Sequence, residues 1–172
     1  VSSNATRTGP EMKTIPQETV DETWERFSDL AADDAKELID QMASEQPALM
    51  AYLLTSDEEL AGQEEKGTLL CLGMVIWELM SAERSSAEPI PPEALEAAES
   101  ANIEFLERMG EESDIGYMDG VTRMVAAYNQ MPLLNAVLQA LMEGHEEEPE
   151  FAPENIGLML VQLKTAIDCL DQ

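Results

Sequence analysis

The amino-acid sequence predicts an all-α protein, a compact bundle of about eight helices in orthogonal or irregular packing, with no sheet. Apolar residues recur along most of the chain at spacings of three and four, the period of a helix with one buried face. Residues that favour helix starts, chiefly Ser, Thr, Asp and Pro, precede these stretches at intervals. No stretch shows the alternation of apolar and polar residues that a half-buried strand requires.

A single domain accommodates this length and composition. With 172 residues, 44% of them hydrophobic, the chain is long enough to bury one substantial core. We expect residues 1–15 to form an amino-terminal tail and residues 16–172 to form one all-helical domain. The expected helices have unequal lengths and no fixed period of turn residues recurs, which favours a compact bundle over a helical solenoid.

The first three helices are expected to be short and to follow one another closely. The segment from Thr19 to Glu22 has the pattern of a capping box and predicts the start of the first helix. Asp33 and Asp34 are expected to cap the second helix, and Pro47 fits the first turn of the third. The apolar residues expected to be buried are Val20, Trp24, Phe27 and Ala31 in the first helix, Ala35, Leu38, Ile39 and Met42 in the second, and Leu49, Met50, Leu53 and Leu54 in the third.

The fourth helix is predicted to be central. A second capping box, from Ser56 to Glu59, starts it, and we expect it to run to about Arg84. Its second half, from Leu69 to Met80, is apolar nearly all round, and such a helix is surrounded by other helices. Three prolines within residues 89–92 then impose an extended connection.

The fifth and eighth helices are predicted to be amphipathic. Pro153 opens the eighth, whose apolar stripe indicates a carboxy terminus docked on the bundle. The expected apolar faces are Leu95, Ala98, Leu106 and Met109 in the fifth helix, opposite Glu93, Glu96, Glu104 and Glu107, and Ile156, Met159, Leu160, Leu163, Ile167 and Leu170 in the eighth.

The sixth and seventh helices contain very few charges. Ser113 or Asp114 is expected to cap the sixth helix, and Pro132 restarts the chain as the seventh, which Gly144 ends. Because residues 121–142 are almost uncharged, we expect them to form the centre of the domain together with the apolar half of the fourth helix.

The charge of the chain limits its partners. Its 36 acidic and 9 basic residues give a formal net charge of -27, which repels phosphate backbones and anionic lipid headgroups. We therefore expect neither nucleic acid nor a membrane surface as a partner. No apolar run approaches the length of about 18 residues that a membrane span needs, and residues 1–10 lack the apolar region of a secretory signal. These features predict a soluble, cytoplasmic protein.

The inventory of ligating and nucleophilic residues excludes several chemistries. His145 is the only histidine and lies in a polar, acidic stretch, so zinc sites, di-iron carboxylate sites and Ser-His-Asp nucleophile systems lack their residues. Cys71 and Cys169 lie in apolar helical contexts and are expected to be buried, reduced thiols. No glycine-rich phosphate loop and no calcium loop of EF-hand spacing is present.

One metal site remains possible on this inventory. Glu22 and Glu25 share a face of the first helix, Glu37 and Asp40 share a face of the second, and adjacent helices would bring the four carboxylates around Mg²⁺. This Glu-x-x-Glu and Glu-x-x-Asp pattern is similar to that of the all-helical nucleoside triphosphate pyrophosphatases. The resemblance covers about 20 residues, from Glu22 to Asp40, and implies that the four residues hold the metal that clamps a triphosphate while water attacks.

An acidic outer face is the preferred interpretation of the same residues. With 36 acids in 172 positions, about seven pairs of carboxylates three residues apart arise from composition alone. Other such pairs occur, Glu93 with Glu96 among them, and no Lys or Arg group is placed to bind phosphate oxygens. The metal site is therefore the alternative hypothesis, and no catalytic or cofactor-binding residue is assigned.

The favoured function is a non-catalytic acidic helical protein-interaction module whose partner has a basic surface. The uncharged, methionine-rich segment with Asn129, Gln130, Asn135 and Gln139 also predicts contact with another helix or with a second copy of the chain. The acidic excess has two further readings, a solubility device and an adaptation to high salt. The competing function is a Mg²⁺-dependent nucleotide phosphohydrolase built on Glu22, Glu25, Glu37 and Asp40.

Overall fold

A computed structural model describes residues 12–54, 63–84, 88–110, 114–142 and 153–171. These residues form eight helices and no strand, which confirms the predicted all-α fold class. In chain order the helices are α1 (Gln17–Ser28), α2 (Ala32–Glu45), α3 (Pro47–Leu54), α4 (Gln63–Glu83), α5 (Pro92–Gly110), α6 (Asp114–Ala127), α7 (Met131–Met142) and α8 (Pro153–Leu170). Among these helices, none combines the length and the apolar character that crossing a bilayer needs.

Two helices, α4 and α8, form the centre of the bundle. α4 packs against α1, α2, α3 and α8, and α8 packs against α4, α5 and α7. Nine of the twelve residues of α4 from Leu69 to Met80 are buried, which confirms the prediction that this apolar stretch is central. Of the predicted stripe of α8, Met159, Leu163, Ile167 and Leu170 are buried and Leu160 is half-buried. The burial extends around the helix to Gln162 and Thr165.

The prediction that residues 121–142 are central is right for α7 and wrong for α6. In α7, Leu133, Leu134, Val137 and Leu141 are buried. In the second half of α6, Thr122, Ala126 and Ala127 are exposed. Ala and Thr have little apolar surface to bury, and Arg123 in the same segment is charged and exposed, so the low charge of this segment does not require the segment to be interior.

The helices begin at prolines more often than at capping boxes. α3 begins at Pro47 and α8 at Pro153, as predicted. α1 begins at Gln17 with Pro16 as its N-cap, so the capping box predicted at Thr19 is wrong. The N-cap of α2 is Ala31. Asp33 and Asp34, which were predicted to cap this helix, lie in its first turn, where their negative charges interact favourably with the positive end of the helix dipole. The capping box at 56–59, Ser113 and the loop with Gly144 and His145 lie outside the described residues.

Residues 12–15 are packed on the bundle, although the segment 1–15 is predicted to be a tail. Met12 and Ile15 are buried, and the Ile15 backbone N–H donates to Oε1 of Gln130 at 3.0 Å. The Gln130 amide in turn donates to the Lys13 carbonyl at 3.1 Å and to the buried Asp171 carboxylate at 3.1 Å. These three hydrogen bonds of Gln130, which we call the clamp, join the amino-terminal segment, the turn before α7 and the carboxy-terminal end of α8.

The two cysteines lie in different environments. Cys169 is buried as predicted, and its thiol lies 3.5 Å from the Ala94 carbonyl. Cys71 is exposed, which contradicts the prediction that it is buried. It lies on the same face of α4 as the exposed Gly67 and the half-buried Glu78, so this side of the helix reaches the surface. Neither cysteine forms a disulfide.

Candidate functional site

Exposed carboxylates concentrate on α1, on α2 and on the turn between them. We call this surface the acidic face. Two cationic residues, Arg26 and Lys36, lie on it, and both are exposed. The exposed acids are Glu18, Asp21, Glu22, Glu25, Asp29, Asp33, Asp34, Glu37, Asp40 and Glu45. The field of such a surface is strongly negative and reaches about 10 Å into solvent at 0.1 M salt.

A cleft of about 250 Å³ opens in the acidic face. We call it the α1–α2 cleft, because the end of α1, the following turn and α2 form most of its wall and α4 completes it. Phe27, Leu30 and Leu38 line it with half-buried apolar surface. Its polar lining residues are Arg26, Asp34, Glu37, Gln41 and Glu78. The cleft therefore joins apolar side chains to carboxylates, a combination that suits an amphipathic cation.

One ion pair already lies in the cleft. The Arg26 guanidinium donates to Glu78 Oε2 at 2.7 Å, and its side chain is 59% exposed. The same guanidinium lies 6.0 Å from the centre of the Phe27 ring, within reach of a weak cation–π contact. Asp34 and Glu37, which line the same cleft, form no ion pair with any residue that the structure describes. The charges lining the cleft thus leave a net negative site.

The four carboxylates of the alternative metal hypothesis do not form one site among the described residues. Glu22, Glu25, Glu37 and Asp40 are all exposed, and of these four only Glu37 lines the α1–α2 cleft. Across residues 12–54 and the other described segments, no group of three or more acidic, histidine or cysteine side chains is arranged to hold a metal ion. α1 packs mainly on α4 and α7, whereas α2 packs mainly on α3 and α4, so the two helices do not pair extensively.

A second polar cluster lies between α5 and α8 and was not predicted from the sequence. We call it the Asp168 cluster. The Lys164 ammonium donates to Asp168 Oδ2 at 3.0 Å and to Asn102 Oδ1 at 2.8 Å. The Asn102 amide donates to Thr165 Oγ1 and to Asp168 Oδ2, both at 3.1 Å. The Tyr128 hydroxyl donates to the other carboxylate oxygen of Asp168.

The Asp168 cluster has a structural role. Its side chains form hydrogen bonds with one another. The Lys164 ammonium also lies 4.9 Å from the centre of the Tyr128 ring. The cluster therefore joins α5, α8 and the turn before α7 through charge-assisted hydrogen bonds, which are stronger than neutral ones. In the sequence, Lys164 and Asp168 resemble an exposed i,i+4 ion pair, which explains why the cluster was missed.

The polar residues predicted to contact another helix or a second copy divide into two pairs. Asn129 and Gln130 are bound within the chain, since the Asn129 amide donates to the Met12 carbonyl at 2.8 Å and Gln130 belongs to the clamp described above. Asn135 and Gln139 are exposed on α7. They lie on one face of that helix with two exposed methionines, Met131 and Met142.

Comparison with known proteins identifies no relative from which a function could be inferred. No protein-family model matches this chain, and neither a curated protein nor a solved structure matches it significantly.

Proposed function

We propose that this protein is a non-catalytic helical interaction module whose acidic face binds the basic surface of a partner protein. The observation that carries the proposal is the concentration of exposed carboxylates on α1 and α2, where Arg26 and Lys36 are the cations and Arg26 is paired with Glu78. A field of one sign raises the rate of encounter with a surface of the opposite sign and repels acidic proteins.

The placement of the other polar groups supports this function. The side chains of the Asp168 cluster bond to one another, the Asn129 amide donates to the Met12 carbonyl, and the Gln130 amide donates to Asp171. Among the described residues, exposed carboxylates outnumber exposed Lys and Arg side chains. Exposed carboxylates are bound most directly by Arg and Lys side chains.

The test measures the affinity of the full chain for small folded proteins of graded net charge, from acidic to strongly basic. We expect binding to basic proteins only, with an affinity that falls as sodium chloride rises from 0.05 to 0.3 M, because salt screens exposed charges over about 10 Å at 0.1 M. Absence of binding to every basic protein at 0.05 M, or binding that salt does not weaken, would refute the proposal.

Self-association through α7 is a second proposed property. Met131, Asn135, Gln139 and Met142 give α7 an exposed face without charge. In a chain with a net charge of -27, two copies repel one another wherever their carboxylates face, so an uncharged helix face is the favourable place for a symmetric contact.

Light scattering over a range of protein concentrations tests the α7 contact. We expect the mean mass to rise with concentration for the wild-type chain and to stay at the monomer value for Met131→Glu, which adds a charge to the face. Ala97→Glu adds the same charge to the exposed side of α5 and is the control. If the wild-type chain stays monomeric at millimolar concentration, the proposed self-association through α7 is refuted.

A further inference from the structure

We infer that the α1–α2 cleft is the pocket in which the acidic face binds an arginine side chain of its partner, presented on an amphipathic basic segment. The inference rests on the proposed function and specifies its site and its recognised group. It follows from the size of the cleft, its apolar lining, its charge and the position of Arg26.

The size of the cleft fits one long side chain. Sites for small-molecule ligands typically have volumes of about 300–1,000 Å³, so a cleft of about 250 Å³ is at the lower limit for a substrate and is suited to a side chain that projects from a larger partner. Phe27, Leu30 and Leu38 supply apolar surface for the methylene stem of such a side chain, and their half-buried state leaves part of that surface open.

The charge of the cleft fits a cation. Asp34 and Glu37 are exposed at the cleft and have no ion-pair partner among the residues that the structure describes, whereas Glu78 is bound to Arg26. Asp34, Glu37, Leu38 and Gln41 follow one another at helical spacing, so a single face of α2 presents both the carboxylates and the apolar contact. A cation that enters along Leu38 meets these carboxylates at the end of its stem.

Arg26 shows how the cleft accommodates a guanidinium. Its guanidinium pairs with a carboxylate of α4 at 2.7 Å and approaches the Phe27 ring at 6.0 Å, so the chain's own arginine makes both kinds of contact that the pocket offers. Guanidinium is planar, binds a carboxylate with two parallel hydrogen bonds and stacks on aromatic rings, whereas the ammonium of lysine acts as a point charge. The recognised residue is therefore arginine in preference to lysine.

Two labelled peptides test the pocket on the full chain. Both carry leucine on one face of a helix and basic residues beside it, and they differ only in that every arginine of the first is lysine in the second. Fluorescence anisotropy at 0.1 M salt measures their affinities. We expect the arginine peptide to bind more tightly by about threefold or more, since bidentate and stacking contacts add to the shared charge.

Matched pairs of substitutions locate the binding. Asp34→Asn with Glu37→Gln removes two carboxylates from the cleft, and Glu93→Gln with Glu96→Gln removes two exposed carboxylates from α5. We expect the first pair to weaken binding of the arginine peptide by about fivefold and the second by less than twofold, because exposed ion pairs act mainly at short range. Leu30→Ala should weaken binding, whereas Leu54→Ala, at an exposed leucine of α3, should not.

The outcomes separate this inference from the proposed function. If both carboxylate pairs weaken binding equally, or if the two peptides bind equally well, the cleft is not an arginine pocket and the acidic face acts by its overall charge alone. If neither peptide nor any basic protein binds even at 0.05 M salt, the proposed function fails as well. The four substituted carboxylates are exposed, and thermal unfolding of each variant checks that the fold is retained.

Discussion

Asp168 is a residue on which several internal hydrogen bonds converge. Its carboxylate accepts hydrogen bonds from Tyr128, Lys164 and Asn102 and is only 22% exposed. Asp168→Ala would leave the Lys164 ammonium and the Tyr128 hydroxyl without this acceptor. We expect the free energy of unfolding to fall by about 2 kcal/mol, somewhat less than for a fully buried pair because water reaches both groups.

Urea unfolding of Asp168→Ala and of Glu104→Ala provides the comparison. Glu104 is an exposed acid on α5, and its loss should change the free energy of unfolding by no more than about 0.5 kcal/mol. The midpoint should shift at constant slope if only stability changes. Equal effects of the two substitutions would show that the Asp168 cluster does not stabilise the bundle.

Tyr52 is predicted to lower the stability of the folded protein at alkaline pH. Its hydroxyl on α3 is buried without a hydrogen-bond partner among the described residues. Burial raises the pKa of the Tyr52 phenol far above its usual value, and the nearby Glu99 raises that pKa further. A raised pKa in the folded state means that the folded protein keeps the proton after the unfolded chain has lost it. The resulting contribution to stability is full below about pH 10 and is lost as pH rises beyond that value.

Tyr52→Phe tests this sign. We expect the free energy of unfolding to fall more steeply between about pH 10 and 11.5 in the wild-type chain than in the variant. At pH 7 the variant should be as stable as the wild type or more stable by about 1 kcal/mol, since the removed hydroxyl is buried and unbonded. Identical slopes above pH 10 would show that the phenol ionises as easily in the folded protein as in the unfolded chain.

At the scale of the helix, two glycines of α4 make a matched pair. A Cβ atom added at Gly73 would overlap the Leu53 side chain of α3, whereas nothing lies near the corresponding position at Gly67. Replacing glycine by alanine in a helix stabilises by about 0.5–1 kcal/mol when the site has room. Overfilling a packed contact costs about 1–3 kcal/mol.

Opposite effects are therefore expected from the same chemical change. Gly67→Ala should raise the free energy of unfolding by about 0.5–1 kcal/mol, and Gly73→Ala should lower it by about 1 kcal/mol. The double variant Gly73→Ala with Leu53→Ala should show a favourable coupling, because the smaller side chain removes the overlap. The close packing of α3 on α4 would be disproved if both glycine variants were stabilised.

The sequence predicted which segments form helices better than it predicted where each helix begins and how far each helix is buried in the bundle. The apolar run from Leu69 to Met80 predicted a buried helix because no other environment accommodates so many apolar side chains. The Thr19 capping box failed because Pro16, with its fixed φ, allows the helix to begin earlier. The low charge of residues 121–127 predicted a buried position, but small residues such as Ala126 and Ala127 are tolerated both inside and outside, and Arg123 in the same segment is exposed.

The α8 helix shows why buried polar residues were missed. Its apolar stripe predicted docking of one face, but Gln162 and Thr165 are also buried. Thr165 accepts a hydrogen bond from Asn102, which is distant in sequence. Most buried polar groups in proteins have a hydrogen-bond partner, and when that partner is distant in sequence, as Asn102 is from Thr165, the local apolar pattern does not reveal it. The α1–α2 cleft was missed for the same reason, since Glu78 joins it from α4.

At the scale of the whole molecule, the net charge of -27 opposes compaction. We expect the thermal midpoint to rise as sodium chloride increases, with most of the rise below about 0.1 M, where the screening length exceeds about 10 Å. A midpoint that falls or stays constant over this range would show that repulsion among the surface carboxylates does not limit stability.

Magnesium distinguishes screening from a metal site. If the carboxylates act only as a diffuse surface, Mg²⁺ should raise the midpoint gradually, and Glu22→Gln with Asp40→Asn should respond as Glu93→Gln with Glu96→Gln does. A saturable rise at millimolar Mg²⁺ that only the first pair abolishes would instead support the phosphohydrolase hypothesis.

Mapping a basic partner onto the surface tests the central claim, that the acidic face is the functional surface of this bundle. The measurement is the change in backbone amide chemical shifts of the full chain when the arginine peptide is added at 0.1 M salt. We predict that the shifted amides lie in α1, in the turn at Asp29 and Leu30, and in α2, and that 0.5 M salt reverses the shifts. Shifts confined to α5 or α7, or spread evenly over every exposed carboxylate, would contradict the account.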